Sequence, residues 1–135
     1  MRNSSRSKVD PFIVMDVMEA ARKAEAEGRH VIHMEVGQPG TGAPQGAGKA
    51  VQNAVSGDPL GYTVALGIPA LRARIAQLYG DWYNVDLDPA RVIVTPGSSG
   101  AFLLAFTALF DSGDRVGIAA PGYPSYRQIL SALGL

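Results

Sequence analysis

One helix in this chain has no polar side: Ala101, Phe102, Leu103, Leu104, Ala105, Phe106, Ala108, Leu109 and Phe110 cover its whole circumference. A helix apolar on every face has to be buried on every face, so it demands protein on all sides. The β-rich run before it, ending at Thr95, breaks at Pro96-Gly97, and Ser98 and Ser99 follow where the helix opens. The run after it, Arg115–Ala120, ends in the turn Pro121-Gly122-Tyr123-Pro124-Ser125-Tyr126. Strand, buried helix and strand in succession predict an α/β fold.

The opening of that helix carries the chemistry. Its first N–H groups have no partner within the helix, and the aligned peptide dipoles add partial positive charge there. Ser98 and Ser99 stand where these donors emerge, and their hydroxyls can join them. Two readings are open on this segment alone: two ordinary N-caps, or a seat for an anion such as a phosphate, to which the dipole contributes ~0.3–2 kcal/mol. Burial of the whole helix favours the anion, because it sets the N-terminus inside the protein. In open α/β sheets ligands lie outside the carboxyl ends of parallel strands, where Tyr123 also falls. Its ring can lie against a flat ligand or serve as plain packing.

A length of 135 residues, 47% of them hydrophobic, suffices for one domain with a sizeable core. Twelve basic residues cancel twelve acidic ones, so nothing draws the chain to nucleic acid or to a membrane surface. Absence of cysteine excludes disulfides and thiolate metal sites. The start, MRNSSRSKVDPF, is basic and polar without an uninterrupted apolar stretch behind it, so neither a signal peptide nor a membrane span is expected and the cytoplasm is the default.

Residues before Asp10 are expected to form a mobile arm. Asp10 as N-cap and Pro11 in the first turn predict a helix with Val14, Val17, Met18 and Ala21 on one face and Gly28 as its stop. Val31–Val36 alternates and reads as a short strand leading into the loop at Gly37. A helix over 46–56 would bury Ala47, Ala50, Val51 and Ala54. Ile68, Leu71, Ile75, Leu78, Tyr79 and Trp82 define a longer amphipathic helix with Pro69 near its start. Strands over 91–95 and 115–120 flank the apolar helix, and a last helix begins near Pro124.

VTPGSSGAF followed by APGYPSY resembles the fold-type I pyridoxal-phosphate enzymes, specifically the class I/II aminotransferases. The run YTVALGIPALR, Tyr62–Arg72, is similar to that family's Y-x-x-x-x-G-x-x-x-L-R element, and VGQP, Val36–Pro39, to its loop of Gly, a polar residue and Pro near the substrate. The four elements stand in family order and cover nearly the whole chain.

The resemblance implies an incomplete α/β fold, the N-terminal portion of the family's three-layer αβα large domain. Residues 1–30 would be an arm and helix, and 31–135 the start of the pyridoxal-phosphate-binding domain. It implies that Gly97 makes the tight turn, and that the N–H groups of Ser98 and Ser99, with the Ser99 hydroxyl, hold the phosphate of pyridoxal 5'-phosphate. Tyr123 would stack on the pyridine ring, and the Gly37 backbone would meet the substrate carboxylate. Tyr62 would reach the cofactor phosphate of a neighbouring subunit, which implies a homodimer. The implied reaction moves an amino group between an amino acid and a 2-oxo acid. The same front end serves family members that eliminate or decarboxylate, and a non-catalytic remnant is a third reading.

No catalytic residue is assigned. The family's Schiff-base lysine, the carboxylate that protonates the cofactor ring and the arginine that grips the substrate all come later in its chains. Lys8, Lys23 and Lys49 lie in the arm or on helices, outside any family motif. The chain therefore looks like the front third of an aminotransferase. The family's sheet sets the strands equivalent to 91–95 and 115–120 apart, with later strands between them, so this piece is not expected to close its own sheet.

Other candidates have plainer readings. APQGAGKA, Ala43–Ala50, comes close to a nucleotide P-loop, but Ala50 stands where a Ser or Thr must hold magnesium, which leaves Lys49 a solvated residue. The lack of G-x-G-x-x-G removes a dinucleotide site. His30 and His33 show no carboxylate or Cys constellation and are expected to be exposed or satisfied rather than metal-bound. Arg72 and Arg74 are expected as surface charges on an amphipathic helix.

Overall fold

The computed structural model describes residues 3–135. Five α-helices form among them: α1 (Ile13–Ala26), α2 (Gln45–Gly57), α3 (Pro69–Tyr83), α4 (Gly97–Leu109) and α5 (Pro124–Leu133), with short 3-10 turns at Ser5–Ser7 and Pro89–Arg91. The chain divides into two compact units: Gly40–Gly97 forms one, and the segment up to Pro39 together with Ser98–Leu135 forms the other. No helix among the described residues is long and apolar enough to cross a membrane.

In the Gly40–Gly97 unit, α2 matches the expected helix, but Ala47, Ala50, Val51 and Ala54 are all exposed rather than buried. Pro69 opens α3 in its first turn, where its missing N–H costs nothing. The helix ends at Asn84 in the left-handed conformation (φ 53°), whose N–H reaches back to the carbonyls of Tyr79 and Gly80. Asn tolerates that region better than most residues, so the chain turns without glycine. On α3 only Ala76 is buried, and the Pro89–Arg91 turn packs against the helix.

In the other unit, the expected mobile arm carries a 3-10 turn: the Ser4 hydroxyl accepts from the Arg6 N–H at 3.3 Å, and the turn packs against α5. Met1 and Arg2 lie outside the described residues. Helix α1 starts at Ile13, so Asp10 does not cap it. Phe12 is the cap residue instead, with no side-chain cap bond. Its ring is set edge-on to Tyr123 at 6.2 Å, and this tertiary contact prevails over the local Asp-Pro signal. Gly28 (φ 81°) follows the end of α1 as expected. Helix α5 buries Leu130, and Gly134 ends it with a carbonyl that accepts from the Gly113 N–H at 2.8 Å.

The three expected strands do not form among the described residues. A strand exists only through its neighbour's N–H and C=O groups. Residues 92–95 have one such bond, from the Val94 N–H to the Leu66 carbonyl at 3.0 Å, and 115–119 take part in none. Helix α4 likewise departs from its expected burial: Leu103, Leu104 and Leu109 are 48%, 58% and 73% exposed. A row on one face is covered in part, where Phe102 meets Tyr126 at 4.5 Å and Phe106 at 5.8 Å.

Candidate functional site

Thr95 builds the turn that opens α4. The Gly97 N–H donates to the Thr95 carbonyl at 2.8 Å, and the Thr95 hydroxyl donates to the Gly97 carbonyl at 2.8 Å. Closing so small a loop drives Gly97 to φ 78°, which a residue with a Cβ adopts only under strain, and nothing lies within 4 Å of where that Cβ would stand. The role of Thr95 was not singled out in the sequence, although a hydroxyl two residues before a glycine is a recognisable turn signal.

Ser98 and Ser99 follow in the first turn, both exposed. Helix geometry gives their N–H groups no partner within α4. Two adjacent N–H donors with a hydroxyl beside each at a positive helix end are a donor set that fits a phosphate dianion.

Tyr123 immediately precedes α5 and is half exposed. Phe12 at 6.2 Å and Tyr126 at 5.3 Å both stand edge-on to it. Phe12 carried no functional signal in the sequence. Gly37 has nothing within 4 Å of a would-be Cβ, and the backbone beside it folds tightly, the Gln38 N–H donating to the Val36 carbonyl at 3.0 Å. Tyr62 belongs to the Gly40–Gly97 unit and is fully exposed. Gly97, Ser98 and Ser99 are consecutive at the start of α4, and Tyr123 has two aromatic neighbours.

Arg72, expected as a surface charge, and His33, expected to have no carboxylates around it, are both engaged. Arg72 donates through Nε to the Val92 carbonyl and through Nη2 to the Pro89 carbonyl, each at 2.8 Å. His33 lies between two carboxylates, Glu35 at 2.6 Å on Nδ1 and Glu25 at 2.9 Å on Nε2. Hydrogen bonds to Glu25 and then Glu35 raise its pKa to about 9, and the bond from His33 lowers that of Glu35. Since the folded-state value is raised, the clamp's contribution is complete below about pH 6.5 on the histidine side and is lost as pH rises through about 9. Falling pH removes it again once Glu35 takes up a proton. An NMR titration of the His33 ring should give a midpoint near 9; an ordinary midpoint near 6.5 would show that the clamp does not form.

Residues 29–135 match the model of the aminotransferase class I and II family. The valine–pyruvate aminotransferase of Mycobacterium tuberculosis is 49% identical over 133 residues, 98% of this chain and 34% of that protein. A crystal structure of an aminotransferase from the same organism superposes with a TM-score of 0.94 at 48% identity, covering 99% of this chain and 35% of that one. A crystal structure from Silicibacter pomeroyi is 72% identical with a TM-score of 0.83, covering 99% and 34%. The chain belongs to the class I and II aminotransferases, takes the N-terminal portion of their fold, and spans about a third of the length of these relatives.

Proposed function

We propose that residues 1–135 are the cofactor-phosphate end of a cytoplasmic, homodimeric pyridoxal-phosphate aminotransferase that moves an amino group between an amino acid and a 2-oxo acid. The observation that carries the reading is the Thr95–Gly97 turn that opens α4 at Ser98 and Ser99, whose N–H groups helix geometry leaves without a partner inside the helix. The chemistry pyridoxal phosphate supplies when bound is an electron sink at the amino acid's α-carbon. Ser98 and Ser99 would donate to its phosphate, and the Tyr123 ring, steadied by Phe12 and Tyr126, would cover its flat face. The Gly37 N–H would receive the substrate carboxylate. Tyr62, which is fully exposed, would reach the phosphate site of the second subunit.

The test uses a chimera in which residues 1–135 replace the matching third of the M. tuberculosis relative, assayed first with valine and pyruvate. Ser99→Ala should weaken pyridoxal-phosphate retention by about 1 kcal/mol, the scale of one hydrogen bond. Mixed dimers of a Ser99→Ala chain with a Tyr62→Phe chain should keep one intact site of two, because each intact site needs Ser99 from one chain and Tyr62 from the other. If every site in the mixed dimer is weakened, Tyr62 serves its own subunit. If Ser99→Ala leaves retention unchanged, the phosphate site lies elsewhere.

A further inference from the structure

The segment that ends in the phosphate turn is fastened from one side by the residues just before α3 and in its first turn. Arg72 spans from α3 to two backbone carbonyls, Val92 and Pro89, at 2.8 Å each. A planar fork carrying a full positive charge holds two acceptors at a fixed spacing, which a lysine cannot do. Among the described residues no carboxylate lies within ion-pair distance of it, whereas Arg22, Arg29 and Arg74 each have one. Its bonding capacity therefore goes to backbone.

Gly67 makes the second fastening. The Val94 N–H donates to the Leu66 carbonyl at 3.0 Å, and this draws Val94 so close that a Cβ on Gly67 would stand 2.6 Å from Val94 Cβ and Cγ2. Gly67 also sits at φ 101°, so no other residue fits without moving the segment. Carbonyls at 89 and 92 and the amide at 94 are all held, and Thr95 then locks Gly97, the first residue of α4.

We infer that Arg72 and Gly67 are positioning residues for the phosphate turn, acting through the Pro89–Gly97 segment to set the Ser98 and Ser99 donors before any ligand arrives. This accounts for the spacing of the Gly67-x-x-x-Leu71-Arg72 run: glycine where the segments touch, arginine where the first turn of α3 faces the carbonyls. The inference rests on the phosphate reading of Ser98 and Ser99. Donors that are already ordered bind more tightly, since each residue that must be ordered on binding weakens affinity roughly five- to thirtyfold.

The experiment uses the chimera without cofactor, with pyridoxal phosphate and pyridoxal, which lacks the phosphate, as parallel probes. Arg72→Lys, which keeps the charge and loses the fork, should weaken pyridoxal-phosphate binding about tenfold, leave pyridoxal binding and the melting temperature of the cofactor-free protein unchanged, and shift the phosphorus resonance of the bound phosphate. Equal losses for both probes together with a lowered melting temperature would mean that Arg72 supports the fold only, and unchanged binding would overturn the inference outright. Amide exchange in the unmutated chimera gives a reading that needs no variant: the Val94 N–H should be protected before ligand is added, and inorganic phosphate should slow only Ser98 and Ser99. Protection of Val94 appearing only with ligand would overturn the preset brace. An unmutated chimera that binds pyridoxal as tightly as pyridoxal phosphate would instead remove the phosphate site, and the brace's role with it.

Discussion

Residues 1–135 on their own, mixed with pyridoxal phosphate, valine and pyruvate, should show no turnover above the background of the free cofactor. Covalent capture of the cofactor and movement of the substrate proton both need an amine placed beside it. Lys23 lies on α1 within 3.7 Å of Glu19, Lys49 is exposed on α2, and Lys8 is exposed beyond the Ser5–Ser7 turn. None belongs to the turn at Gly97 or to the Tyr123 turn. Borohydride reduction followed by peptide mapping should accordingly find cofactor on no single lysine in stoichiometric amount, and dialysis should remove it. Turnover together with one stoichiometrically labelled lysine would sink this expectation and make the front third an enzyme in its own right.

The second large effect concerns stability. The chain leaves 11410 Å² accessible, where a folded monomer of 14.2 kDa ordinarily leaves about 6,800 Å². Among the described residues Ala76 and Leu130 are the buried hydrophobic ones, at 7% and 5% exposure, while Leu104, Leu109 and Trp82 are more than half exposed. A protein of this length that unfolds cooperatively absorbs about 95 kcal/mol near 60 °C. Calorimetry of residues 1–135 should show a broad transition with well under half that heat, and hydrophobic dyes should bind strongly before heating. The chimera should abolish the dye signal. A sharp transition of normal enthalpy in residues 1–135, without dye binding, would show that the exposed faces find cover.

Features written in neighbouring residues were legible in the sequence. Pro69 and Pro124 mark the openings of α3 and α5, and Gly28 takes positive φ just past the end of α1. The placing of Ser98 and Ser99 at the opening of α4 belongs to the same kind. What escaped depended on groups far apart in the chain. Arg72 has the look of any solvated helix charge until the Val92 carbonyl, twenty residues on, stands 2.8 Å from it. His33 finds Glu25 only because the chain reverses after Gly28. The strands at 31–36, 91–95 and 115–120 carry the right residue pattern, but pattern supplies no ladder partner. Phe12 displaced Asp10 as the cap residue of α1 through a ring contact with Tyr123, more than a hundred positions away.

The brace on the Pro89–Gly97 segment has a consequence for how such chains diverge. Two of its three attachment points are main-chain carbonyls, at Pro89 and Val92, and every amino acid brings a carbonyl. The side chains at those positions are therefore free to drift with whatever surrounds them, while the guanidinium at 72 and the bare Cα at 67 are not. Evolution can rewrite one partner of the contact almost letter by letter and leave the geometry of the turn into α4 where it was.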